Sequence, residues 1–196
     1  FIIGPLGRQA IDQLVSDKRF PVPTLLIGNP TNPASASPNV YQLGMAPEQD
    51  GVQLARRAYA AGHRRALIIF AASDWGRRVS TATSNDWARL GGKIVAQTAV
   101  PVTSDDFTHA IRRLFHLDHS AARAAALKKV LTDRLPFKAI PRRRQDVDVI
   151  FLFCRRPQAQ VINPQIDFLY GHDLPVFSTS HRYRGTQDRL IDLDLD

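Results

Sequence analysis

A single cysteine, Cys154, stands in 196 residues. One thiol cannot close an internal disulfide, so the core alone must hold the fold. It follows an apolar run, where a buried structural thiol is expected. No stretch approaches the roughly 18–20 apolar residues of a membrane-spanning helix, and no signal peptide is visible. The glycine patterns that cradle phosphates, the Walker loop and Gly-x-Gly-x-x-Gly, are missing. So is the Gly-x-Ser-x-Gly elbow, and the adjacent Ser180 and His181 would need unusual geometry to act as nucleophile and base. His116-Leu117-Asp118-His119 gathers metal-ligating residue types, yet no third His or Cys partner is apparent. The expectation is a protein that is not an enzyme and has neither metal nor cofactor.

What is present is charge and alternation. The formal charge is +8, from 26 Lys and Arg against 18 Asp and Glu. Such a balance suits an acidic partner or a solvated arginine-rich surface. Nucleic acid is not an expected partner, because the arginines are not interleaved with aromatic stacking residues.

Short apolar runs alternate with segments of helical spacing. Strands are expected at Phe1–Gly4, Thr24–Gly28, Val40–Leu43, Ala66–Ala71, Ile94–Val100 and Val147–Phe153. Gly4-Pro5-Leu6-Gly7 reads as a turn, and Asn29 to Asn39 as a loop without periodicity. A helix is expected over Glu48–Ala61, stopped by Gly62. A second follows a Ser73-Asp74 cap, with Val79, Ala82, Thr83, Trp87 and Leu90 on one face. A third follows Thr103-Ser104-Asp105, with Phe107, Ala110, Ile111 and Leu114 inward. Residues His116 to Leu135 read as helical.

The stretch from Arg142 to Gly185 is a complete βαβ unit. It has a basic start, a helix that Pro157 can begin and Pro164 should kink or split, and a strand at Pro175–Ser178. The strands are apolar on both faces, so the fold class is α/β, with Rossmann-like parallel sheets flanked by helices. A change of composition near residue 45 suggests two lobes. Residues 1–45 form part of the first, 46–185 the second, and 186–196 begin a return to the first. The opening on Phe1-Ile2-Ile3, as if in mid-strand, and the closing Asp192-Leu193-Asp194-Leu195-Asp196 suggest a piece of a longer protein.

Ile3-Gly4-Pro5, Val40-Tyr41-Gln42-Leu43 and Ile68-Ile69-Phe70 with Ser73-Asp74-Trp75-Gly76 resemble type I periplasmic binding proteins. Pro141-Arg142-Arg143-Arg144-Gln145-Asp146-Val147-Asp148, and Leu174-Pro175-Val176 with Ser178-Thr179-Ser180 and Tyr183-Arg184-Gly185, narrow the resemblance to the LppC/LpoA family of lipoproteins. The resemblance implies a two-lobed periplasmic binding protein type I-like domain, the C-terminal part of a periplasmic lipoprotein anchored by lipid in the outer membrane. It implies a non-catalytic role: stimulating a bifunctional penicillin-binding protein, a peptidoglycan synthase, by protein contact. The family's N-terminal helical-repeat domain and its lipidated cysteine are not in this sequence.

Two candidate sites follow. In parallel α/β sheets ligands sit beyond the carboxyl ends of the strands. There the sequence places Gly4, Pro5, Asn29, Ser73, Asp74, Trp75, Ser178, Thr179 and Ser180, which could hold a small molecule in a cleft. Ser and Asp after a strand also serve as ordinary helix caps. The second candidate is a partner surface at Arg142, Arg143 and Arg144, at the opposite end of the same strands. Its competing reading is internal pairing with Asp146 and Asp148. The alternative function is a periplasmic solute-binding domain for an amino acid or similar small polar ligand.

Overall fold

A computed structural model describes residues 1–16, 20–28, 39–44, 46–104, 106–130 and 140–179. Asn29, Ser180 and the segment 186–196, all named above, lie outside the described residues. The chain divides into two compact units, Phe1–Asp50 and Gly51–Asp196.

The first unit is a three-stranded parallel sheet. Strands β1 (Ile2–Leu6), β2 (Thr24–Ile27) and β3 (Val40–Leu43) lie in that order. Ile2 is in register with Thr24, and Thr24 with Val40. Gly4-Pro5 is not the turn that its composition suggests. It lies within β1, through a cis peptide bond, and the chain turns at Gly7 instead. Among the described residues β1 pairs with β2 alone, and proline is tolerated on such an edge. The Gly7 carbonyl accepts the Ile11 N–H at 3.1 Å and opens α1 (Arg8–Ser16), whose Ile11 is wholly buried.

Helix α2 (Pro47–Ala60) buries a face of small residues, Gly51, Ala55 and Ala58. It ends as a Schellman motif. Gly62, at φ 99°, donates to the Tyr59 carbonyl, and His63 donates to that of Ala58. Only glycine takes that φ without cost, so Gly62 stops the helix.

The second unit contains β4 (Arg65–Ala71), α3 (Asp74–Arg89), β5 (Lys93–Val100), α4 (Thr108–Leu114), α5 (Leu117–Val130), β6 (Val149–Phe153), α6 (Arg156–Ile166) and β7 (Val176–Ser178). Its four strands are parallel and ordered β5-β4-β6-β7. The two central strands alternate between two cores. Leu67, Ile69, Ile150 and Leu152 face Ile111, Phe115, Ile162 and Ile166. Ala66, Ile68, Val149, Phe151 and Phe153 face Ala55, Ala58, Val79 and Trp87. Helices α4 and α6 thus cover one face, and α2 and α3 the other. That two-sided cover is why β6 is apolar at every position.

Three local expectations need correction. Phe107 is the N-cap of α4, without a side-chain cap bond, so Thr103 and Ser104 do not cap it and Asp105 lies outside the described residues; Asp106, just before the cap, accepts the Thr108 N–H on its Oδ1 at 2.8 Å. The helical run expected from His116 begins at Leu117, because His116 itself sits at φ 56°. Pro164 does not split its helix. The helix passes through it, and the break comes at Leu169 and Tyr170, inside a wide turn spanning Asp167–Gly171.

Cys154 follows β6 and is buried. Burial pushes its thiol up to about 12, offset only in part by a backbone hydrogen bond involving Ala71. The thiolate is the reactive form, so alkylation by iodoacetamide at pH 8 should be at least ~100-fold slower in the native protein than in the unfolded chain. Comparable rates in the two states would show the thiol to be accessible.

Candidate functional site

The carboxyl edge of the second sheet comes first. The chain leaves β4 outward to β5, then returns past β4 to β6, so the direction of winding reverses between β4 and β6. Ligands of open α/β sheets bind beside such a reversal. Ser73, Asp74 and Trp75 follow β4, and Ser178 and Thr179 close β7. With β6 between them, these two groups are about 10 Å apart along the edge at ordinary strand spacing. The fold therefore brings these five residues to one edge. Gly4 and Pro5 belong to the first unit.

Their side chains are partly committed to structure. The Ser73 Oγ accepts the Gly76 N–H at 3.1 Å and caps α3. Asp74 receives the Arg77 guanidinium at 2.5 Å, both ends well exposed. Trp75 is half-buried against the Trp87 and Phe151 cluster. Thr179 is buried, and its Oγ1 has no hydrogen-bond partner among the described residues. At the start of α6, Gln158 Oε1 accepts the Arg155 N–H at 3.4 Å, and its Nε2 donates to the Pro101 carbonyl at 2.9 Å.

The amino edge of the same sheet holds the arginines. Arg143 is 8% exposed; it pairs with Asp173 and donates to the Arg144 carbonyl at 2.8 Å. Arg144 grips Asp146 with two bonds, Nε to Oδ1 at 2.7 Å and Nη2 to Oδ2 at 2.8 Å. Arg144 therefore pairs within its own segment and Arg143 ties that segment to Asp173 before β7, while Arg142 is exposed. Asp148 serves the backbone, not an arginine side chain: its carboxylate accepts the N–H groups of Arg64 and Arg65 at 3.0–3.1 Å. That locks the start of β4 to the start of β6. The His116 cluster is occupied as well. His116 Nε2 lies 3.3 Å from Arg144 Nη1, and Asp118 receives Arg112 at 3.1 Å.

The Arg144 hydrogen bonds, opposed by burial and helped by the guanidinium charge, hold the Asp146 carboxyl down at about 2. A carboxyl lowered in the folded state stabilises above its unfolded value, and that stability is lost as pH falls toward the folded value. Asp146 is half exposed, so solvent screening leaves about 1 kcal/mol. Asp146→Asn should cost that much at pH 7, with the gap closing between about pH 4 and pH 2. Urea unfolding at pH 7, 4 and 2 measures it; a gap independent of pH would assign the loss to packing.

Sequence reading missed Arg65, Arg123 and Asp173 at this edge. The first was accessible in principle. Parallel neighbours share an amino edge, so residues before β6 must meet residues before β4.

The two units, with their parallel sheets and helical cover, place the fold among type I periplasmic binding proteins. The full-length LpoA of Haemophilus influenzae superposes with a TM-score of 0.64 at 16% identity, over 92% of this chain and 28% of that one. An ABC transporter substrate-binding protein from Sphaerobacter thermophilus gives 0.59 at 18%, over 92% and 44%. These likenesses establish fold alone. The chain belongs to the family described as "LppC putative lipoprotein", which matches residues 1–196. Its relatives include the penicillin-binding protein activator LpoA of Vibrio antiquarius, 25% identical over 94% of this chain. That of Vibrio vulnificus is 27% identical over 88%. The chain spans only 31% and 29% of those two proteins' lengths. Among the described residues, no helix is long and apolar enough to cross a membrane.

Proposed function

We propose that this chain is the non-catalytic regulatory domain of a periplasmic lipoprotein, held at the outer membrane by lipid, that stimulates a bifunctional penicillin-binding protein by direct contact. The family match over residues 1–196 carries the reading. Relatives named as activators of penicillin-binding proteins supply the partner class. The chemistry of the carboxyl edge supports a role without catalysis. Ser73 caps a helix, Asp74 faces Arg77, and the Cys154 thiol is buried and protonated. On this reading residues 1–45 belong to one lobe, 46–185 to the other, and 186–196 begin the return. Of the three arginines, Arg142 is the one available to a partner surface; Arg143 and Arg144 support it from within.

The test is retention of the organism's own bifunctional penicillin-binding proteins on the immobilised full-length protein. Binding above a matched control is expected; no retention of any of them would sink the reading.

One observation favours a solute-binding role instead. The buried Thr179 hydroxyl lacks a partner among the described residues, on the edge that also carries Ser73, Asp74, Trp75 and Ser178. With Gly4, Pro5, Asn29 and Ser180 these residues would line the cleft of an amino-acid binder. A thermal-shift screen with free amino acids separates the two readings. A clear rise in melting temperature with one of them would favour the solute binder, since a ligand that binds only the native state must stabilise it.

A further inference from the structure

At the amino edge of the second sheet lies an open hollow of about 510 Å³, lined by Arg65, His116, Arg123, Arg142, Arg144, Gln145 and Asp146. We propose that it is an anion site for a phosphate-bearing ligand, gripped by the guanidinium groups of Arg65, Arg123 and Arg142.

The hollow is assembled from four separate parts of the chain, and hydrogen bonds from the backbone of the arginine segment tie three of them together. Arg65 opens β4. Arg123 stands on α5, and His116 at the junction between α4 and α5. Arg142 and Arg144 lie on the segment leading to β6. The Arg142 N–H donates to Ser120 Oγ at 3.1 Å, and the Arg144 N–H to the Phe115 carbonyl at 2.9 Å. The arginine segment is therefore pinned to the start of α5 and to the turn before it.

The charges are unequal. Four arginines against one aspartate leave three positive charges on the lining. The aspartate is already spent, because both Asp146 oxygens are held by Arg144. Among the described residues no hydrogen bond or close ion pair engages the side chains of Arg65, Arg123 or Arg142, although the Arg65 charge also acts on Asp146 from a distance. His116 adds an acceptor toward Arg144 rather than a negative charge. Its pKa is lowered, first by burial and then by Arg144 and His119, with Arg123 adding to this and Asp146 opposing it. Like charges held this close repel one another unless an anion enters.

Donor count favours phosphate over carboxylate. Each guanidinium presents a planar fork of N–H groups, and Gln145 can add an amide. Three free forks offer more donors than the two oxygens of a carboxylate can use. The three or more terminal oxygens of a phosphate ester or diphosphate can accept from all of them. Such a group could be a soluble phosphate ester or a phospholipid headgroup.

The experiment titrates the full chain with pyrophosphate by calorimetry, for wild type, Arg123→Gln/Arg142→Gln, and a control, Arg57→Gln, which removes an exposed arginine of α2 that does not line the hollow. Saturable binding is expected, weakened ~10-fold or more in the double variant and nearly unchanged in the control. Circular dichroism checks folding, and the single Arg123→Gln variant is read if the double variant does not fold. A second arm adds vesicles of phosphatidylglycerol or phosphatidylcholine. Retention on the first alone, competed by pyrophosphate, identifies a lipid headgroup as the source. Pyrophosphate binding without retention identifies a soluble ester. No saturable binding, an equal loss in the Arg57→Gln control, or equal affinity for citrate or an acidic peptide would overturn the proposal.

Discussion

Trp87→Ala should lower the stability of the second unit by about 4 kcal/mol. Trp87 is wholly buried on α3, the largest side chain to be so. Its ring meets Phe151 edge-on at 5.2 Å and Tyr59 at 5.9 Å, joining β6, α2 and α3. Gly92 closes over it: a Cβ there would stand 2.4 Å from the indole, so the chain after α3 is shaped to this ring. Truncation leaves a cavity walled by a sheet and two helices, which cannot collapse fully, and the loss comes near the upper range for such changes. Trp87→Phe should cost less than its volume suggests. The Trp87 Nε1 is buried without a hydrogen-bond partner among the described residues, and phenylalanine removes that orphan donor. Urea unfolding followed by circular dichroism measures both. Gly92→Ala should be costly in the wild type and much less so beside Trp87→Ala. Strictly additive losses would show that the two do not touch.

Gly76→Ala should cost about 3 kcal/mol, a large effect for one methyl group. Gly76 lies in the first turn of α3, and a Cβ there would meet the Ala71 carbonyl oxygen at 2.2 Å. The obstacle is backbone at the end of the central strand β4, so no side chain can swing aside. The turn must move away from the sheet, taking Ser73, Asp74 and Trp75 with it. The same substitution should therefore disturb the carboxyl edge while leaving the arginine edge in place. Backbone amide shifts report this: large changes are expected over residues 71–77 and small ones over 142–146. Uniform small shifts with no loss of stability would mean that the close approach does not exist.

How much of this was legible beforehand depended on whether the governing contact was local. The strands β4 and β6 were readable because two-sided burial demands continuous apolar residues. The face of α3 was readable from Val79, Thr83 and Trp87, and the stop at Gly62 from its conformation. Gly4-Pro5 was misread as a turn because composition cannot reveal that β1, among the described residues, pairs on one side only, where a proline can sit without losing a ladder bond. Pro164 was expected to break a helix whose break lies five residues later. The partners of the arginines divided in the same way. Arg144 with Asp146 is two residues apart and visible. Arg143 with Asp173 is thirty apart, and no pattern in the chain announces it. The arginine hollow was invisible for the same reason, since Arg65 and Arg123 reach it through sheet order and helix packing.

The decisive measurement for the proposed regulatory role is the rate at which the organism's own bifunctional penicillin-binding proteins polymerise and cross-link lipid-linked precursor, with and without the full-length protein. A saturable rise in rate is predicted, abolished when these 196 residues are deleted and the remainder is shown to stay folded. An unchanged rate at concentrations where the full-length protein is folded would contradict the regulatory role.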